Sequence, residues 1–143
     1  MSGKLVVAAA GLVLVLARAP EPRMGDERLV GEWKGVSYVI QGTPHPLEGL
    51  FIFTSKYFSA NVMFRASGGS SDDANANAGP YTADGSSVTF TQWMQLHVRS
   101  GDSSAPVLLT KGNPERARYD VQGRRLVLTF PSQNQYVLER LDD

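Results

Sequence analysis

The residues able to do chemistry in this chain are few and scattered. His45 and His97 are the only histidines, and His45 sits between two prolines, where a turn is expected. A metal site needs several ligands, and no short-range spacing supplies them, so no metal is expected. Asp72 and Asp73 lie in a polar stretch and read as solvated, because a calcium site takes about six to eight oxygens in ordered geometry. No Gly-x-Ser-x-Gly frames a serine nucleophile. No glycine-rich phosphate loop follows a strand and opens a helix. Catalytic residues are therefore not identifiable, and no cofactor is implied. What remains is recognition chemistry. Gln92 interrupts an apolar series, where its amide could bond a ligand or satisfy a bulge. Tyr119 places a hydroxyl on an apolar strand face. Arg65, Arg116 and Arg118 could form an anion-binding rim, although isolated strand arginines more often face solvent.

Composition narrows the partners. The 143 residues carry 14 Lys plus Arg against 14 Asp plus Glu, for a formal charge of zero. No basic field is available to hold a polyanion, so nucleic acid is not an expected partner. There are no cysteines, which excludes disulfides and thiolate chemistry.

The first residues do not read as fold. A short basic start precedes the uninterrupted apolar run 5–16, and Ala17-Arg18-Ala19 then offers small residues where a signal peptidase inspects the chain. The run is well short of the roughly 20 residues a membrane-spanning helix needs. Residues 1–19 are thus expected to be a signal peptide, 20–28 a linker and 29–143 one domain. The protein is expected to be secreted or periplasmic, with no stable membrane span. Pro20 directly after Ala19 is poorly accepted by the peptidase, so cleavage at another position, or a segment that stays attached, is an alternative.

From Leu29 onward, short runs rich in β-branched and aromatic residues alternate with Gly, Ser, Asn and Asp clusters. That texture predicts an all-β domain. Eight strands are expected, at 29–40, 49–54, 57–65, 79–84, 87–98, 115–121, 125–130 and 135–141. Residues 66–78 and 99–105 are expected loops. Period-two alternation puts Phe58, Ala60, Val62 and Phe64 on one face, and Val88, Phe90, Met94 and Leu96 on another, with Gln92 intruding. Ala117, Tyr119 and Val121 share a third. Eight strands closed into an antiparallel up-and-down barrel would bury one face of each strand and leave no sheet edge. A two-layer sandwich is the alternative.

Leu29-Val30-Gly31-Glu32-Trp33, followed by Val36-Ser37-Tyr38, resembles the opening strand of the lipocalin-like domain family. Similar matches follow along the chain. They are Pro46-Leu47-Glu48-Gly49-Leu50-Phe51-Ile52-Phe53-Thr54, the aromatic-rich Tyr57-Phe58-Ser59-Ala60, and Ala78-Gly79-Pro80-Tyr81-Thr82-Ala83-Asp84. Arg125-Leu126-Val127-Leu128-Thr129 and Val137-Leu138-Glu139-Arg140-Leu141 resemble its last two strands. The sequence departs from the family pattern at Pro80, where arginine is common, and near Phe90-Thr91, where a histidine pair often stands.

The resemblance implies an eight-stranded barrel with structural roles for Gly31, Trp33 and Arg140. The tryptophan would plug the closed end and the arginine would lie over its ring, while Gly31 would let the chain approach closely. It also implies an interior able to hold a small hydrophobic or amphipathic molecule. Phe58, Val62, Phe64, Phe90, Gln92, Met94 and Tyr119 are the candidate ligand-binding residues. Two other functions fit the same fold: an isomerase or cyclase acting on a small apolar substrate, and a filled barrel serving as an interaction module.

Overall fold

The computed structural model describes residues 25–65, 73–99, 107–109, 112 and 114–141. The leader 1–19, residues 66–72 of the first expected loop and residues 100–105 of the second lie outside the described residues. The strands are β1 (Gly31–Ile40), β2 (Thr43–Phe53), β3 (Tyr57–Phe64), β4 (Asp73–Ala83), β5 (Ser87–Phe90), β6 (Met94–Arg99), β7 (Val107–Leu109), β8 (Glu115–Gln122), β9 (Arg125–Thr129) and β10 (Gln135–Arg140). Among the described residues no helix is long and apolar enough to cross a membrane.

Eight of these strands close a ring in the order β1-β2-β3-β4-β5-β8-β9-β10, every pairing antiparallel and β10 returning to β1. The barrel is therefore up-and-down; β6 and β7, which fall between β5 and β8 in sequence, pair with each other, and β6 also pairs with β4. Tight turns set the register. Gln41 and Gly42 both adopt positive φ, at 49° and 81°, which matches the twist of a two-residue hairpin between β1 and β2. That turn lets β2 start at Thr43, so His45 stands in a strand opposite Tyr38 rather than in a turn.

Besides the early start of β2 and the added strand β7, two further segments differ from the sequence expectation. The polar loop expected over 66–78 ends early, because β4 already begins at Asp73. The single strand expected over 87–98 is two. Phe90 pairs with Tyr81 and Met94 with Ala78, so Thr91, Gln92 and Trp93 stand opposite only Gly79 and Pro80. One extra residue makes a bulge, and a one-residue offset inverts every following side chain. Gly79 makes room for it: a Cβ there would run into the Thr91 carbonyl and sit 2.9 Å from the Trp93 nitrogen. Beyond the bulge, Met94 and Val98 therefore point outward and are exposed. They share that outer face with Met63, and Trp93 packs against Tyr57 in a tilted pair at a centroid distance of 5.5 Å.

The core fills the end of the barrel where the chain enters. Leu29, Trp33, Val88, Leu126 and Leu138 are fully buried there, with Phe53, Tyr81 and Ala83 nearly so. Aliphatic and aromatic burial of this kind contributes about 1.5–3 kcal/mol per side chain.

Candidate functional site

The upper interior of the ring holds a cavity of about 140 Å³. Alternation along four strands aims apolar groups into it: Phe51 from β2, Phe58 and Ala60 from β3, Phe90 from β5, Leu128 from β9, and Phe130 just past that strand. Tyr136 anchors this wall, with ring centroids 5.0 Å from Tyr38 and Phe130 and 5.7 Å from Phe51. Phe58 and Phe90 meet edge to face at 4.8 Å. Tilted and edge-on pairs are the favourable arrangements for such rings.

Polar groups complete the lining. Tyr38, Asn77, Glu115, Ser132, Asn134 and Tyr136 all border the space. The Asn134 amide donates to the Tyr38 hydroxyl at 3.0 Å, which holds the turn after β9 over the cavity. Asn77 Oδ1 is buried with no hydrogen-bond partner, as is Asn75 Oδ1 one pleat above it. Burial, aided by the nearby Tyr38 and Glu115, pushes the Tyr136 hydroxyl pKa well above the usual phenol range. Glu115 stands at the rim, exposed to solvent on one side. Desolvation raises its carboxyl pKa. Its one hydrogen bond among the described residues comes from the Gln92 amide at 3.4 Å. Arginine and lysine are absent from the described lining. Chemically, the space offers aromatic faces, acceptor oxygens and one carboxylate.

The residues singled out from sequence separate into three places. Phe58 and Phe90 line the cavity. Phe64 packs above it, 5.2 Å from Tyr38, and Val62 is buried on the same inner face of β3. Gln92 sits in the bulge, where its amide reaches Glu115. Met94 lies on the outer face, inverted by that bulge, and does not face the interior. Tyr119 is at the opposite end of the barrel. Its hydroxyl donates to Asp26 and accepts from Arg28 at 3.1 Å, so it is not free to orient a molecule in the cavity.

The third group closes the narrow end. Trp33 is fully buried and donates from Nε1 to the Leu29 carbonyl at 2.8 Å. Arg140 lies over it, 4.2 Å from the ring centroid, and donates to the carbonyls of Val30 at 2.9 Å and Arg28 at 2.7 Å. Gly31, at φ 134°, makes the passage possible: a Cβ would stand 2.5 Å from Arg140 Nη1. Asp26 and Arg28, in the stretch expected as linker, are tied to the barrel by Tyr119 and by the Gly85 carbonyl. Arg65 and Arg116 pair with Glu48 and Asp84, and Arg118 is exposed, so the three arginines do not converge.

Sequence reasoning missed Tyr38, Asn77, Glu115, Asn134 and Tyr136. Two of them carried a signal. Asp73-Ala74-Asn75-Ala76-Asn77-Ala78 alternates with period two, the mark of a strand. Glu115 shares parity with the inward Ala117 and Tyr119.

Comparison with the curated proteins and with the solved structures gives no match. A family model, the lipocalin-like domain, matches residues 29–105, more than half of the chain and the stretch that builds β1 to β6. With that match and a closed eight-stranded antiparallel barrel, the chain belongs to the lipocalin-like domain family.

Proposed function

We propose that this barrel binds a small amphipathic molecule in its upper interior. The observation that carries the reading is the cavity of about 140 Å³, walled by aromatic rings and edged by polar groups, of which Asn77 Oδ1 is buried without a partner. Ligand sites are mostly apolar with a few placed polar groups. An engineered apolar cavity of about 150 Å³ takes up benzene, so the space suits a single-ring molecule and not a long acyl chain. Export is part of the proposal: the leader read from residues 1–19 would deliver the barrel outside the cytoplasm. Mass spectrometry of the N-terminus from the native host tests that part, with intact protein in the cytoplasm as the opposing result.

Binding is tested by titrating toluene into the isotopically labelled protein and following NMR shifts. Saturable changes centred on Phe58, Phe90 and Leu128 are expected. Absence of saturation, or shifts scattered over the surface, would favour the ligandless interaction module instead.

A further inference from the structure

We infer that the molecule this cavity selects is a small organic cation, an amine or ammonium carried on an apolar body; the inference rests on the binding proposal above. Three features of the lining point to the same charge. First, Glu115 is the only charged residue among the described residues that border the space, and no basic side chain among the described residues pairs with it. Its neighbour Gln92 is neutral and gives it a single long hydrogen bond of 3.4 Å. Second, an acceptor in the described lining, Asn77 Oδ1, is buried without a partner. A buried acceptor left unbonded is costly, and an N–H donor on the ligand would relieve that cost. Third, the walls are aromatic faces: Phe58, Phe90, Phe130, Tyr38 and Tyr136 surround the volume. Such rings attract a cation through their quadrupoles, most strongly where water is excluded.

The same features discriminate against other classes. An anion would meet Glu115 with no compensating arginine or lysine in the described lining. A purely apolar ligand would fit the volume but leave both Asn77 and Glu115 without a new partner. A carboxylate at the rim with aromatic walls below orients an amphipathic cation with its nitrogen towards Glu115 and its ring inward. The likeness in volume to a benzene-sized site limits the body to about one ring.

Calorimetry with four probes of one size tests this: toluene, benzyl alcohol, benzylammonium and benzoate. Wild type is expected to bind benzylammonium at least about tenfold more tightly than benzyl alcohol, the scale of one charge-assisted hydrogen bond, and benzoate most weakly. In Glu115→Gln the advantage of benzylammonium should vanish while toluene binds as before. Glu115 is at the rim, so the variant should melt with wild type; Glu115→Asp, which keeps the charge, should retain part of the preference. Equal affinity of wild type for the amine and the alcohol, or a preference that survives Glu115→Gln, overturns the inference and leaves the binding proposal standing. Failure of all four probes overturns both.

Discussion

The two ends of this barrel treat their polar groups in opposite ways. At the closed end the buried polar groups of Trp33, Tyr81 and Tyr119 each have a partner. Trp33 Nε1 bonds Leu29, the Tyr81 hydroxyl bonds the Thr54 carbonyl at 2.6 Å, and Tyr119 bonds Asp26. The Arg28 guanidinium beside Asp26 holds that carboxyl well below the usual carboxylate range. At the open end the Oδ1 atoms of Asn75 and Asn77 are buried without a partner, and Glu115 is shifted the other way by desolvation alone. A satisfied network fixes one structure, whereas an unsatisfied one stores a cost that a ligand can remove. The contrast matches the proposed division of the barrel, with stability at one end and binding at the other.

The largest effect should come from the closed end. Trp33→Ala empties a fully buried indole site and removes the ring under Arg140. A loss of about 3–5 kcal/mol is expected in denaturant melts, and a change below about 0.5 kcal/mol would mean the plug carries no load.

Next comes Tyr119→Phe, which strands the Asp26 carboxylate's hydrogen bond and should cost about 1.5–3 kcal/mol, the scale for bonds to charged groups. Its pH signature is specific. Tyr119 is raised to about 12 by burial and by its bond to Asp26. A raised folded-state pKa gives stability that is complete below the unfolded value near 10 and is lost as pH rises towards 12. Asp26, depressed, gives stability that is present above about 4 and lost as pH falls further. Melts across pH should show both slopes in wild type. In Tyr119→Phe the alkaline slope should lessen, Tyr81 keeping its own share because burial raises it to about 12 as well.

A third comparison is steric. Ala117 packs in the filled half and is 2% exposed. Ala117→Trp should overpack it and cost about 1–3 kcal/mol. An equal loss from the same change at Ala60, on the cavity wall, would erase the distinction between the halves.

Much of this was legible in the sequence where the alternation is unbroken. The faces of β3 and β9 follow directly from period two, and the Gly31–Trp33 spacing marked the first strand. Met94 could not be placed, because the bulge at Thr91–Trp93 depends on the missing side chain of Gly79, a residue on another strand. Tyr119 looked like a ligand group because its partner, Asp26, lies 93 positions away. Asn75 and Asn77 were hidden by composition: alanine and asparagine are weak strand formers, so tertiary pairing with β3 and β6 decides their conformation.

The central claim, that the upper half is hollow so that a molecule can enter, is tested most directly by Ala60→Trp measured two ways. Ala60 lines the cavity, so the added indole should fill space the ligand needs. Toluene affinity should fall at least about tenfold, while stability moves by less than about 0.5 kcal/mol, the range of an ordinary tolerated change. A variant destabilised by about 1–3 kcal/mol, from a wild type that never bound the probe, would contradict the account and leave a packed, ligandless barrel.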